Sequence, residues 1–248
     1  MQIAIVTGAS SGLGTAYVEA VTKVFPEIDE LWLIARREDR LKQVAARYSD
    51  NRCTIIPMDL SDMDSIVRLQ EKLEEEEKPE VRLLVHDAGV CFSGSFESMS
   101  LEKALSMIDL NCKGAVAVTR VCLPYIVDGG TIVEVSSTSA FVPNTGMVLY
   151  GATKSLVYEM CIGLKQELKS RHINVCAVCP GMMATEMTAN PSKGQSRLPY
   201  VDVNKAAFNS LRAAKRGRGV YTTGVFYKFY HILAKLLPQA FMVKFAGL

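Results

Sequence analysis

The chain has 248 residues, of which 49% are hydrophobic and 22% charged, a composition typical of a folded globular protein and not of a disordered one. This length is sufficient for one large α/β domain or two small ones. The net charge of +2, without a basic stripe interleaved with aromatic residues, argues against a nucleic-acid partner. Met1 and Gln2 run directly into the apolar stretch Ile3–Val6, so we expect no signal peptide and a cytoplasmic protein.

Short apolar segments alternate along the chain with longer segments of helical periodicity. The predicted strands are Gln2–Thr7, Glu30–Ala35, Thr54–Met58, Arg82–His86, Thr131–Ser136, Asn174–Cys179 and a short one at Gly219–Thr223. The predicted helices are Leu13–Val24, Glu38–Tyr48, Met63–Lys78, Leu101–Val127 and Val148–Ser170. This alternation predicts parallel strands joined by right-handed crossovers, and therefore a doubly wound, Rossmann-like α/β sheet. We expect one domain over residues 1–224, followed by an apolar tail, residues 225–248.

The first predicted strand ends in a glycine-rich loop that leads directly into the first helix. The loop contains Gly8, Ser10, Ser11, Gly12, Leu13 and Gly14. Glycines at such a turn let the backbone approach a pyrophosphate, whose charge then lies at the helix N-terminus. Three glycines are weak evidence alone, but their position between the first strand and the first helix favours a dinucleotide site.

The end of the second predicted strand bears on which dinucleotide binds. Enzymes that select NAD usually carry an acidic residue there, which holds the ribose hydroxyls. This chain has Arg36 and Arg37 instead, and guanidinium groups suit a ribose 2′-phosphate. The alternative is that both arginines simply open the next helix on its solvent side. We expect NADP(H) to be preferred over NAD(H).

Tyr150 and Lys154 lie four residues apart in a predicted helix, so their side chains share one face. A free tyrosine has a pKa near ~10 and is a poor acid or base at neutral pH. A neighbouring ammonium favours the phenolate and lowers that pKa toward the working range. The pattern Y-x-x-x-K is nevertheless common and carries little weight alone.

Taken together and in order, the motifs resemble those of the short-chain dehydrogenase/reductase family, from Gln2 to about Thr185. The glycine-rich loop matches the cofactor loop of that family, and Tyr150-Gly-Ala-Thr-Lys154 matches its active-site motif. Ser137 precedes Tyr150 by thirteen residues, the spacing found in the family. The other matching positions are Asp59 and Leu60 after the third strand, Ala88 and Gly89 after the fourth, Asn111 in the long fourth helix, and Pro180, Gly181 and Thr185 after the sixth strand.

The resemblance implies an enzyme that interconverts an alcohol and a carbonyl by hydride transfer with NADP(H). It gives the proton transfer to Tyr150 and the polarisation of the carbonyl to Ser137. Lys154 would lower the pKa of Tyr150 and bind the nicotinamide ribose, and Asn111 would help hold a water that links Lys154 to solvent. We expect no metal, since the pair Cys176 and Cys179 lies in a predicted buried strand without further ligands nearby.

Two residues after the fourth strand depart from the family pattern. His86 and Asp87 stand where the family usually carries two asparagines. We expect Asp87 to remain a cofactor-site residue that accepts a hydrogen bond but alters cofactor binding by adding charge. At the end of a strand, His86 is interpreted as a hydrogen-bonded structural residue.

The tail, residues 225–248, is the second departure. It is rich in Phe, Tyr, Leu and Met, carries Lys228, Lys235 and Lys244, and is interrupted by Pro238. Two interpretations stay open. The tail folds over the substrate cleft or a subunit interface, or it lies on a membrane surface as an amphipathic basic anchor.

The segment after Gly181 forms a flap over the substrate in the family. The candidate substrate residues are Met182, Met183 and Met187 in this segment, with Phe92, Phe141 and Met147 placed near the cleft by family topology. Thioether side chains adapt to irregular apolar shapes, which favours a hydroxysteroid, a bile acid or a long-chain ketone, although core filling explains methionines equally well. By analogy we expect a homodimer through the two long helices. The competing hypothesis is a dinucleotide-binding regulatory or membrane-associated protein with little catalytic activity.

Overall fold

The computed structural model describes residues 1–48, 52–75, 79–188 and 198–246. The strands of this part are β1 (Gln2–Thr7), β2 (Glu30–Ala35), β3 (Cys53–Pro57), β4 (Glu80–His86), β5 (Ile126–Val135), β6 (Asn174–Cys179) and β7 (Val220–Thr222). The helices are α1 (Gly12–Val24), α2 (Glu38–Ala45), α3 (Met63–Glu75), α4 (Leu101–Ile108), α5 (Ala115–Cys122), α6 (Val148–Glu167), α7 (Val203–Lys215), α8 (Val225–Leu236) and α9 (Gln239–Ala246).

All seven strands form one parallel sheet in the order β3-β2-β1-β4-β5-β6-β7. The chain starts at β1 in the middle, winds outward to β3, and returns to β4 on the other side of β1. Thr7 at the end of β1 is in register with Ile34 of β2 and with His86 of β4. A crevice opens where the winding direction reverses, outside the carboxyl ends of the strands, and ligands of such sheets bind there.

Both faces of the sheet are buried. In β1, Ile3 and Ile5 belong to one apolar cluster with residues of α3, α5 and α6, while Ala4 and Val6 belong to the other with residues of α1 and α7. Because successive side chains of a strand point to opposite faces, a strand with helices on both sides has to be apolar throughout. The predicted single doubly wound α/β domain is confirmed.

The fourth predicted helix, Leu101–Val127, differs from the structure in two ways. A π-helical turn, Asp109–Gly114, separates α4 from α5, and the helical region ends before β5 begins at Ile126. Gly114 packs so closely on Leu60 that a Cβ would lie 2.7 Å from the Leu60 carbonyl oxygen. The widened turn accommodates this contact and brings Asn111 into the core, consistent with the frequent occurrence of π turns at functional sites.

The seven cysteines all lie in the described part of the chain and are free thiols. Cys176 and Cys179 are buried side chains of β6, and burial raises the pKa of Cys176 to about 12. Burial thus disfavours the thiolate, which is the nucleophilic form of cysteine. Among the described residues, no group of His, Cys, Asp or Glu is arranged to hold a metal ion.

The tail forms two helices, α8 and α9, with the break at Pro238 that the sequence predicts. Tyr227 of α8 is its main anchor and is 3% exposed. No helix of the described ranges has the length and apolar character needed to cross a membrane.

Candidate active site

One cleft of about 670 Å³ lies at the carboxyl ends of the strands and extends from the glycine-rich loop to the tail. Of the predicted site residues, those that line it are Gly8, Ser10, Ser11, Gly12, Leu13, Arg36, Arg37, Asp59, Leu60, Asp87, Ala88, Gly89, Ser137, Met147, Tyr150, Lys154, Pro180, Gly181, Met182, Met183, Thr185 and Met187. The loops that supply them follow β1, β2, β3, β4, β5 and β6. The sheet topology therefore brings residues from most of the chain to one place.

The glycine-rich loop has the backbone geometry that only glycine adopts easily. Gly8 and Gly12 have φ values of 68° and 55°, in the left-handed region that a Cβ disfavours. Gly14 begins the helical turn so near Gly8 that a Cβ would lie 2.1 Å from the Gly8 carbonyl oxygen. The loop and the N-terminus of α1 thus present backbone N–H groups to the cleft, and these residues fit a pyrophosphate.

Thr7 joins the end of β1 to the end of β4. Its Oγ1 accepts hydrogen bonds from the backbone N–H groups of Asp87 and Ala88, both at 3.1 Å. Its own O–H is left to donate to Nδ1 of His86 at 3.2 Å. Burial and the nearby charge of Lys154 lower the pKa of His86 to about 3, so the imidazole is neutral. His86 holds a structural hydrogen bond, and its Nε2 has no hydrogen-bond partner in the described part of the chain.

Tyr150 and Lys154 occupy adjacent turns of α6, and both are nearly buried. The Nζ of Lys154 lies 6.0 Å from the centre of the Tyr150 ring and donates to the Val135 carbonyl at 2.7 Å. Burial raises the pKa of Tyr150, and the Ser137 hydroxyl acts in the opposite direction. The phenol is therefore protonated at neutral pH. The lowering of its pKa by Lys154 stays an expectation from the family.

Asn111 lies behind the cleft surface and fixes the loop after β4. Its Oδ1 accepts from the Val90 backbone N–H and its Nδ2 donates to the Val90 carbonyl, both at 2.8 Å. The Nδ2 also lies 3.1 Å from the hydroxyl of Thr153 on α6. A Cβ on Gly89 would lie 3.1 Å from Oδ1 of Asn111 and 3.3 Å from Nζ of Lys154. The absence of a side chain at Gly89 therefore makes room for the ammonium group of Lys154.

Two carboxyl groups face the buried ammonium of Lys154. Asp87 packs against the first turn of α1 near Gly14, and burial raises the pKa of Asp87 while the Gly14 backbone N–H lowers it. Glu134 of β5 is fully buried. Its Oε1 accepts from the Thr119 hydroxyl at 2.6 Å, and its Oε2 has no partner among the described residues. Burial raises the pKa of Glu134 to about 8. Burial also lowers the pKa of Lys154, against the attraction of both carboxyl groups.

Arg36 and Arg37 lie at the rim of the cleft, at the end of β2. Arg37 donates to Glu186 of the flap at 2.9 Å, and Arg40 of α2 donates to the same carboxylate at 3.2 Å. Arg36 is 3.9 Å from a carboxylate oxygen of Asp59. Arg37 and Arg40 therefore share the Glu186 carboxylate, while Arg36 lies toward Asp59. Guanidinium groups at this rim fit an anionic group.

The four predicted methionines line the cleft, but two predicted aromatic residues do not. Phe141 stacks on His231 of α8, with ring centres 3.9 Å apart, and contacts Tyr158 edge to face. Phe92 instead lies beneath the ammonium of Lys103, at 5.6 Å. Neither ring lines the cleft, and each packs against a side chain of a neighbouring helix instead, which buries part of its apolar surface. Residues 189–197, the polar end of the flap, lie outside the described residues.

The tail forms one wall of the cleft. The interpretation that the tail folds over the cleft therefore applies to the side of the tail that faces the protein. The tail residues that line the cleft are Phe226, Tyr227, Tyr230, Leu233, Leu237, Phe241 and Met242. The Tyr227 hydroxyl accepts from the Met182 N–H at 3.0 Å and donates to the Pro199 carbonyl at 2.9 Å. Gly181 allows this contact, since a Cβ there would lie 2.0 Å from the Tyr227 ring.

Comparison with known proteins agrees with this geometry. Residues 2–196 match the family model of the short chain dehydrogenases. An uncharacterized oxidoreductase of Staphylococcus saprophyticus is 30% identical over 217 residues, which cover 85% of this chain and 91% of the relative. The chain belongs to the short-chain dehydrogenase family. It is an oxidoreductase with the family's fold, which binds a nicotinamide dinucleotide.

Solved structures of this family superimpose over nearly the whole chain. A short-chain dehydrogenase from Sphingobium yanoikuyae in complex with NADPH has a TM-score of 0.81 and 27% identity, over 98% of this chain and 95% of that one. A bulky-bulky ketone specific alcohol dehydrogenase from Comamonas testosteroni has a TM-score of 0.79 and 26% identity, over 98% of this chain and 94% of that one. The similarity to both includes the tail.

The buried carboxyl of Glu134 generates a prediction about stability. Its pKa is raised in the folded chain, so its contribution to stability is present below pH 4.5 and is lost as the pH rises to about 8. Glu134→Gln keeps an acceptor for Thr119 and removes the ionisation. We expect the variant to be more stable than the parent at pH 8 by several degrees in Tm, since each 1 kcal/mol is worth about 2–4 °C in a chain of this size.

The measurement is thermal unfolding followed by circular dichroism between pH 5 and pH 9. The exposed Glu71→Gln on α3 removes a carboxylate without burial and should leave the pH dependence of Tm as it is in the parent. Parallel Tm profiles of the Glu134→Gln variant and the parent would contradict the raised pKa.

Proposed function

We propose that this protein is an NADPH-dependent oxidoreductase that interconverts bulky apolar ketones and the corresponding secondary alcohols. The observation that carries the proposal is the continuity of the cleft. One cavity joins the glycine-rich loop, the hydroxyl groups of Ser137 and Tyr150, and an apolar compartment between the flap and the tail. A dinucleotide and a hydrophobic substrate can meet there at a proton donor.

The roles of the chain's own residues follow from their positions. Tyr150 is the proton donor during reduction, since its phenol is protonated and lies in the same cleft as the Ser137 hydroxyl. Ser137 orients the substrate oxygen toward that phenol through its hydroxyl. Lys154 places a positive charge behind Tyr150, which stabilises the phenolate that forms as the proton leaves. The bound dinucleotide supplies the hydride.

The Asn111 side chain positions the loop against which Lys154 rests. Its two hydrogen bonds to the Val90 backbone fix Gly89 beside the ammonium. A shift of this loop would move the ammonium relative to Tyr150, and small displacements of catalytic groups lower rates strongly. Asn111 is thus a positioning residue, and holding a water for Lys154 remains an expectation from the family.

A preference for NADPH is supported by the three arginines at the end of β2 and the start of α2. A 2′-phosphate carries more negative charge than a ribose hydroxyl pair and accepts bidentate hydrogen bonds from guanidinium groups. Arg36 and Arg37 line the cleft where β2 ends, and Arg40 shares the Glu186 carboxylate with Arg37. The cofactor binds with its adenosine ribose at this corner.

A bulky apolar substrate is supported by the walls of the second half of the cleft. Met147, Met182 and Met183 face aromatic residues of α8 across this space. Flexible thioethers opposite aromatic rings accept large apolar molecules of varied shape. The Comamonas testosteroni enzyme with the same architecture is named for bulky ketones, and its tail region is covered by the superposition. Oxo-steroids, oxo bile acids and long-chain ketones are the candidate substrates.

The test of the proposed reaction is the oxidation of NADPH with a panel of oxo-steroids, oxo bile acids, aliphatic ketones and sugars. We expect turnover of the bulky apolar ketones, and Tyr150→Phe should lower kcat/KM by about 10²–10⁴-fold. Tyr48→Phe, a tyrosine outside the cleft, is the matched control and should leave kcat/KM unchanged. Undiminished turnover by Tyr150→Phe would refute the assigned role, and a clear preference for sugars would refute the substrate class.

The position of Glu186 gives a prediction for the cofactor. Its carboxylate forms ion pairs with Arg37 and Arg40. It therefore competes with the 2′-phosphate of NADPH for these two side chains. Glu186→Gln should lower the KM for NADPH several-fold by removing one negative charge, and leave the KM for NADH nearly unchanged. Steady-state kinetics with both cofactors measure this, with the exposed Glu102→Gln as the control. Equal changes in both KM values would contradict a 2′-phosphate site at this corner.

The proposal includes a homodimer through α4, α5 and α6. Apolar side chains of these helices are exposed in the single chain, among them Leu105, Val116 and Leu156, and such patches mark interfaces. The double substitution Leu105→Asp and Leu156→Asp should give a monomer in light scattering, whereas Val67→Asp on α3 should leave a dimer. A monomeric parent protein would refute the proposed dimer. The cytoplasmic location stays a prediction from the sequence.

A further inference from the structure

Helix α8 has two apolar faces, and only one of them lines the cleft. Tyr227, Tyr230 and Leu233 point into the cleft or the protein beneath it. On the opposite side a row of large apolar side chains is open to solvent, formed by Val225, Phe229, Ile232 and Leu236. We call this row the exposed stripe.

The exposed stripe is continuous along the helix. Its residues follow at intervals of four, three and four, which places them on one side of α8 over its whole length. Their exposed fractions are 84%, 59%, 55% and 75%. Four bulky apolar residues exposed side by side cost solvation free energy, and a patch of this kind marks a contact surface.

The charge around the exposed stripe is of one sign. Residues 225–248 contain three lysines and no acidic residue, while the chain as a whole has a net charge of only +2. Lys228 and Lys235 are exposed and lie seven residues apart along the same flank of α8, and Lys244 is exposed on α9. A partner of this surface therefore needs an apolar region to contact the exposed stripe and negative charges to contact the lysines beside it.

We propose that the exposed stripe and its lysines dock the protein on the surface of an anionic lipid bilayer. An amphipathic helix with bulky apolar residues on one side and flanking lysines lies in the plane of a bilayer interface, with the side chains in the acyl boundary and the ammonium groups among the headgroups. At twelve residues, α8 is far shorter than the ~20 residues a spanning helix needs, so the contact is peripheral.

A second copy of this chain fits the exposed stripe less well. In a twofold dimer the same patch meets itself, so the lysines beside one stripe would approach those beside the other. Like charges at an interface are unfavourable, and no acidic residue of the tail offsets them. Anionic headgroups complement the same lysines directly.

Docking in this way places the cleft wall at the bilayer. The residues of α8 that line the cleft and those of the exposed stripe are one helix diameter apart. A hydrophobic molecule dissolved in the bilayer would then meet the flap and tail without crossing bulk water. This consequence rests on the proposed function, whereas the docking itself does not.

The test is co-sedimentation of the full chain with vesicles of phosphatidylglycerol and with vesicles of phosphatidylcholine. We expect binding to phosphatidylglycerol that weakens as salt rises from roughly 50 mM to 500 mM, since salt screens surface charges. Phe229→Ser with Ile232→Ser should reduce the partition coefficient at least about tenfold. Lys228→Glu with Lys235→Glu should reduce it by about fivefold or more for each lysine.

Matched variants distinguish binding through the exposed stripe from nonspecific binding through other exposed apolar residues or lysines. Met63→Ser with Val67→Ser removes two exposed apolar residues of α3, and Lys169→Glu with Lys205→Glu makes the same charge change outside the tail. Both should bind vesicles as the parent does. No binding of the parent to phosphatidylglycerol, or equal binding by the stripe variant, would overturn the proposal.

Light scattering of the same variants identifies the competing occupant. Suppose that Phe229→Ser with Ile232→Ser forms a smaller oligomer than the parent, and that the parent does not bind vesicles. The exposed stripe is then an interface between copies of the chain, and the proposal is wrong. Vesicle binding needs no substrate, so its failure leaves the proposed reaction untouched. Failure of ketone turnover would likewise leave a measured vesicle affinity in place.

Discussion

A positive charge buried beneath the cleft organises the active site. The ammonium of Lys154 is removed from water, and such a charge is unfavourable unless other groups solvate it. The Val135 carbonyl accepts from it at 2.7 Å, and the charges of Asp87 and Glu134 raise the pKa of Lys154 against the effect of burial. These groups come from β5 and the end of β4. The position of Lys154 therefore depends on the correct pairing of the central strands, and the sheet and the chemistry are specified together.

The hydroxyl of Thr7 connects the two halves of this arrangement. It binds two backbone N–H groups after β4 and the ring of His86, so the loop that carries Asp87 is held to the end of β1. The glycine-rich loop begins at the next residue. The loop after β1 and the loop after β4 are therefore held together at the switch point of the sheet.

The sequence was sufficient for the parallel sheet because the strands are mostly apolar and most of the crossovers show helical periodicity. Helix α7, between β6 and β7, was not among the predicted helices. The sequence was also sufficient to bring Tyr150, Lys154 and Ser137 to one cleft, since their spacing in the chain becomes proximity once α6 packs beside β5. It was insufficient where tertiary contacts decide. The π turn at Asp109–Gly114 lies where Gly114 packs against Leu60, and no local pattern encodes that contact.

The side chains of Phe92 and Phe141 illustrate a second limit. Topology places both near the cleft, but ring orientation follows from packing partners such as His231, whose position depends on the tail. The sequence analysis did not single out Glu134, because one glutamate in an apolar strand looks like an exception to the pattern. A buried acid in a central strand, close in sequence to Ser137, is nevertheless a signal of a functional site that could have been used.

The contact between Gly181 and Tyr227 joins two parts of the site that are separate along the chain. The predicted catalytic residues all precede the end of β6, whereas the wall that Tyr227 anchors comes from α8 and α9, which follow β7. Substitutions in α8 and α9 can therefore reshape that wall without replacing any residue that is predicted to move a proton.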